Sequence, residues 1–223
     1  MAFFVYAKPF ENGTFEADNI KMDNTYLQNS SVKWMLMLPA ALISGLFFSL
    51  IAWLLVLLGV QTIGYSWQEL LFYPVLCFLG LLVYHFLNVS FPNNDLEKFS
   101  LSFSNLLLGI GTGMLFFTYT KWLSLFAFLP LLLLLFYVEY VNKLRFMYRF
   151  YRAYFAGLLV FYLAYTMLIH YQFISYQAEE TMKLNIGSIP FECYFYFMGM
   201  LLSGIYLFEL FKSKNGKYGT AGL

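Results

Sequence analysis

The chain has 223 residues, of which 61% are hydrophobic and 11% charged, with a formal net charge of +1. Soluble domains carry about 25% charged residues, so a soluble globular protein is excluded, and the near-neutral balance excludes a basic surface for nucleic acid. The two cysteines, Cys77 and Cys193, sit apart in apolar segments and form no Cys-x-x-Cys redox or metal motif.

In chain order, residues 1–33 are mixed and polar, with Glu11, Glu16, Asp18 and Asp23, and lack the pattern of a signal peptide. They are expected to form a non-spanning N-terminal segment. Apolar blocks follow at 34–59, 67–89, 101–120, 122–141, 149–176 and 188–211. Each approaches the roughly 20 residues that a helix needs to cross hydrocarbon. The expected fold is therefore all-α: a six-helix transmembrane domain over 34–212 with a short tail at 213–223. The third and fourth spans must be joined by a tight turn at Lys121-Trp122.

Eleven Lys and Arg fall in the N-terminal segment, the second and fourth loops and the tail, and only Lys121 and Lys183 fall on the other side. The positive-inside rule then puts both termini in the cytoplasm. Arg145, Arg149 and Arg152, with Lys143, form a basic strip interleaved with Tyr148, Tyr151 and Tyr154, suited to topology and lipid head-groups. Gly109-Ile110-Gly111-Thr112-Gly113 has no preceding strand, so it reads as close helix packing rather than a nucleotide loop. His85 and His170 stand alone, without the convergent partners that a metal requires. The Asn-x-Ser/Thr triplets at Asn12, Asn29 and Asn88 fall on the cytoplasmic side of this topology, where glycosylation is not expected.

The pattern Glu-x-x-Phe-Tyr occurs twice, at Glu69–Tyr73 and Glu192–Tyr196, each time opening an apolar span. Both spans start on the non-cytoplasmic side, so Glu69 and Glu192 share a depth. An ionisable group at the edge of hydrocarbon is a functional candidate by default. The plainer reading is two acids favoured by the positive end of a helix macrodipole. Against it, each Glu has a Tyr at i+4, Tyr73 or Tyr196, on the same helix face. Two matching acid–phenol pairs point to a site built by weak internal duplication.

The run Asn185-Ile186-Gly187-Ser188-Ile189-Pro190-Phe191-Glu192-Cys193-Tyr194-Phe195-Tyr196 resembles the second signature of the lycopene cyclase domain family, the small membrane-embedded carotenoid cyclases. Glu180 stands where that family carries an earlier acid. Ser66 to Tyr73 resembles the first signature, and the likeness extends over roughly residues 33 to 213. It implies a multi-helix membrane protein that acts on long isoprenoid hydrocarbons, with redox-neutral ring closure of lycopene ends, and it does not imply a metal; no cofactor is expected, and the expected location is a bacterial cytoplasmic membrane. The chain departs from the pattern at Gln68 and Cys193, where the family has a second acid in each half, and at Ser66, where it has proline. Ala52 and Thr166 stand where the family has Asp and Asn, and residues 1–33 hold no counterpart of its extra N-terminal span.

Closing a polyene end needs a neutral acid, a place for carbocation charge and a base. Desolvation in an apolar pocket favours the protonated form of a carboxyl. Glu192 is the candidate donor, and Glu69 the candidate base or counter-charge. Aromatic faces stabilise cations, so the substrate-binding candidates are Tyr73, Tyr196, Phe72 and Phe195, with Pro190 and Glu180. The expected partners are membrane lipid and a hydrophobic isoprenoid ligand. The thinned acids leave a second reading open, a non-catalytic scaffold that binds a lipid or joins a larger membrane complex. A small transporter is a third, weakened by the few intramembrane charges.

Overall fold

The computed structural model describes the backbone of residues 15–63, 66–91, 97–142 and 146–219. Side chains are described for 34–62, 71–91, 97–142 and 146–214. The elements are α1 (Phe15–Leu57), β1 (Gln61–Ile63), α2 (Ser66–Ser90), a 3-10 turn (Glu97–Phe99), α3 (Ser100–Thr118), α4 (Trp122–Phe136), α5 (Met147–His170), β2 (Ile174–Tyr176), β3 (Asn185–Ile186), β4 (Ile189–Pro190) and α6 (Phe191–Gly219). Among the described residues, six helices are long and apolar enough to cross a membrane: Trp34–Leu57, Leu71–Ser90, Glu97–Thr118, Trp122–Asn142, Met147–His170 and Phe191–Lys214. The expected count holds.

The expected boundaries shift in two places. The first span begins at Trp34 as expected, and helical backbone runs into it from Phe15. The fifth span ends at His170 instead of 176. Gln172 takes a left-handed φ of 57°, which stops the helix although Phe173 and Ile174 continue the apolar run. Residues 174–176 then pair antiparallel with 61–63. The sixth helix starts at Phe191, because Ile186 and Ile189 close a hairpin in front of it. The α3–α4 turn is as tight as its sequence requires, with Lys121 N donating to Thr118 O at 2.9 Å.

Helix α6 is the centre of the bundle, packed on α1, α2, α4 and α5, and 56% of its span is buried against 17% for α3. Small residues allow the closest approaches. A Cβ on Gly45 would stand 2.3 Å from Pro74 Cα, so α1 and α2 meet backbone to backbone. Ser44 Oγ donates to Met200 O at 2.8 Å and pairs with the Ser203 hydroxyl, tying α1 to α6. The glycine stretch of α3 is a correction. Only Gly111 lies against a neighbour, Leu132, while a Cβ at Gly109 or Gly113 would meet open space.

α4 continues as a π-helix over Tyr137–Asn142. Its Glu139 receives the Ser104 hydroxyl, which also pairs with Tyr151 at 2.5 Å, linking α3, α4 and α5 at the end of the bundle away from Glu192.

A candidate acid–base site at the head of α6

The hairpin β3–β4 delivers the chain into α6. Gly187 has a left-handed φ of 65°, and a Cβ there would come within 2.9 Å of the Tyr162 hydroxyl. Glycine at that point of the Ile-Gly-Ser-Ile-Pro run is thus required by the turn. Pro190 is buried, and Phe191 N donates to Leu184 O at 2.9 Å, which fixes the helix start.

Glu192 follows in the first turn, where the helix dipole favours negative charge. It is 0% exposed. Its Oε1 accepts from Met182 N–H at 2.5 Å and from Ser124 Oγ at 3.2 Å. Its Oε2 is buried with no hydrogen-bond partner among the described residues. One oxygen is therefore pinned by two donors, and the other is left without an acceptor.

The loop that presents Met182 is held in place by α4. Lys121 Nζ donates to Glu179 O at 2.7 Å and Thr181 O at 2.6 Å. Glu180 accepts from Trp122 N–H at 3.3 Å and so caps the start of α4. Beside this loop lies an open cavity of about 420 Å³ whose walls include Ile174, Tyr176, Thr181 and Pro190. Glu180 acts here through the loop, one step from the acid.

The tyrosines of the two motifs come together. Tyr73 and Tyr196 meet edge to face with ring centroids 5.6 Å apart, and Phe48 packs on Tyr196 at 5.0 Å. The Tyr196 hydroxyl donates to the Phe48 carbonyl. Phe72 lies 6.1 Å from the Tyr165 ring. Tyr165 and Tyr176 share a hydrogen bond between their hydroxyls, and both reach the Cys193 thiol. Tyr176 is partly exposed as a residue, but burial of its phenol, then the nearby Cys193 and Tyr73, push that phenol well above the ordinary tyrosine range.

The i+4 relation between Glu192 and Tyr196 does not bring them to one partner. Glu192 turns to α4 and the loop, whereas Tyr196 turns to α1 and α2. Because α6 is surrounded, one helical turn faces two different neighbours. Phe195 likewise packs on Phe128 of α4, at 4.8 Å, and on Phe191, at 5.0 Å, away from Phe72. The side chain of Glu69 lies outside the described residues; its backbone is one turn before Tyr73 on α2.

Several residues of this site were not anticipated. Ser124 and the Met182 amide hold the acid, and Phe48, Tyr165 and Tyr176 complete the aromatic wall. Ser124 carried a signal, a hydroxyl in an otherwise apolar span. The Met182 amide carried none. Among the described residues no group of three His, Cys, Asp or Glu converges as a metal site.

No curated protein and no solved structure matches the chain. Residues 118–211 match the family model for lycopene cyclase. That stretch holds α4, α5, the hairpin and the buried acid of α6, while the Glu69 motif precedes it. Over that stretch, less than half of its length, the chain is similar to the lycopene cyclase family.

Proposed function

We propose that the protein is a carotenoid cyclase-like membrane enzyme that closes rings at the ends of a linear polyene by acid–base chemistry, with Glu192 as proton donor. The observation that carries this reading is the Glu192 carboxyl, wholly buried, with one oxygen held by two donors and the other without a partner. In the reaction the carboxyl proton adds to the terminal double bond and leaves a tertiary carbocation. An internal double bond attacks that centre and closes the ring. A proton then leaves the ring carbon for a base, so substrate and product are isomers and no electrons are exchanged. Glu69 is the proposed base, from its motif position on α2.

The π-faces of Tyr73, Tyr196, Phe48 and Phe72 support a role in stabilising the cation. Pro190 and Phe195, two positions before and three after Glu192 in the chain, are proposed to shape the channel for the hydrocarbon end. Both termini are assigned to the cytoplasm by the eleven-to-two distribution of basic residues, which puts the acid near the opposite leaflet.

A second reading rests on Cys193, a buried thiol where the family signature has an acid. It makes the protein a scaffold that holds an isoprenoid lipid or a partner subunit without turning it over.

Expression in a lycopene-accumulating host, followed by separation of the pigments, distinguishes the two. Monocyclic or bicyclic product supports the enzyme. Unchanged lycopene in cells that hold folded protein overturns it, and lycopene co-purifying intact would establish the scaffold.

A further inference from the structure

A second groove lies at the opposite end of the bundle from Glu192, between the N-terminal turns of α3 and α5. It encloses about 390 Å³, within the range of roughly 300–1,000 Å³ typical of ligand pockets. Its walls are the rings of Phe99, Phe103, Tyr148, Tyr151 and Phe155, with Ser100 and Arg152. Phe103 stacks edge to face on Tyr151 at 4.6 Å, and Phe155 remains 58% exposed. The groove runs between two membrane-spanning helices, so hydrocarbon is its natural surrounding.

Its described cations are Arg152 and Lys98. Arg152 donates to neutral acceptors only: Phe91 O at 2.8 Å, Leu87 O at 3.0 Å and Asn88 Oδ1 at 3.2 Å. Its Nε is buried with no partner. The guanidinium also lies over the rings of Tyr148, at 5.8 Å, and Phe91, at 6.0 Å. Lys98 stands over Phe99 at 5.3 Å. Glu139, the acid tied to this groove through Ser104 and Tyr151, already receives the Ser104 hydroxyl. Both helix starts point positive dipole ends here; neither α3 nor α5 has an acid in its own first turn or a side-chain cap, and Glu97 stands in the 3-10 turn that leads into α3. An aromatic slot beside Arg152 and Lys98 fits an amphiphile with an anionic head.

We infer that this groove is a binding site for one anionic phospholipid, an acyl chain lying among the rings and the phosphodiester meeting Arg152, Lys98 and the two helix starts. The site is independent of the cyclase reading, since it shares no residue with the head of α6.

The test uses full-length protein delipidated in mild detergent and titrated with dioleoyl phosphatidylglycerol or dioleoyl phosphatidylcholine, with bound lipid counted by native mass spectrometry. The wild type is expected to hold one phosphatidylglycerol at least tenfold more tightly than phosphatidylcholine. Ser100→Trp, which fills the groove mouth, is expected to abolish that preference while helicity and elution volume stay unchanged. Arg152→Gln should weaken it as well, but Arg152 also anchors the end of α2, so Ser100→Trp decides. Equal retention of the two lipids, or a preference that survives Ser100→Trp, would overturn the assignment. Displacement of the lipid by millimolar inorganic phosphate alone would assign the groove to a free anion. A dimer broken by Ser100→Trp in lipid-free detergent would assign it to a second copy of the chain; either result also overturns the proposal.

Discussion

Replacing Glu192 by Gln separates a proton donor from a structural acid. The amide keeps an oxygen where Oε1 now accepts from Met182 N–H and Ser124 Oγ. Its NH₂ takes the position of Oε2, which already lacks a partner. Packing volume is retained and neither hydrogen bond is lost, so stability should change by less than about 1 kcal/mol. What disappears is the transferable proton. General acid catalysis contributes roughly 10²–10⁴-fold, or about 3–5 kcal/mol of barrier. Initial rates of ring formation from lycopene in reconstituted vesicles, with thermal unfolding measured in parallel, give both numbers. A Gln variant that cyclises at the wild-type rate would refute the donor role. A variant that loses activity only because it no longer folds would show the carboxyl to be structural. Glu192→Ala should do both, since it leaves the buried Met182 amide without an acceptor, at about 1–3 kcal/mol.

Gly45→Ala should prevent normal folding, because its Cβ would meet Pro74 backbone at 2.3 Å, whereas Gly109→Ala should be silent in a thermal-shift assay. Glu180→Gln should weaken the cap on α4, by about 0.3–1 kcal/mol, and lower activity less than tenfold; loss as severe as that of Glu192→Gln would make Glu180 a direct participant. Tyr196→Phe removes the hydroxyl bonded to Phe48 O and should cost about 0.5–1.5 kcal/mol of stability while keeping the aromatic face and most of the activity. The folded-state shift of Tyr176 is upward, so the stability it supports is complete below the ordinary phenol range and declines as pH rises through and above about 10. Thermal midpoints of wild type and Tyr176→Phe across pH 8 to 11 should converge on the alkaline side.

The six spans were legible because hydropathy over some 20 residues is a property of the segment alone. Their ends were not. The stop at His170 depends on Gln172 adopting a left-handed backbone and on strand pairing with residues 61–63, more than a hundred positions earlier. The place of Glu192 in the first turn of α6 was legible from an acid at a helix mouth. The repeated motif set each tyrosine on the face of its own glutamate and did not reveal that Tyr73 and Tyr196 meet each other. The hands that hold the acid were not legible. Ser124 arrives from another helix, and the Met182 donor is a backbone amide that any residue could supply. The glycine run of α3 misled for a related reason: small residues permit close packing, but only Gly111 has a neighbour to pack against. Glu139 passed unnoticed within an apolar span because the π-helical turn that aims it at Ser104 leaves no mark in composition.

The most direct measurement is isotopic. Purified protein in lipid vesicles is given lycopene in D₂O, and the cyclic product is weighed by mass spectrometry. If a carboxyl proton that exchanges with solvent starts each closure, one deuterium enters per ring formed, and Glu192→Gln yields little or no labelled product. Ring formation without deuterium, or equal labelling by the Gln variant, would contradict the account.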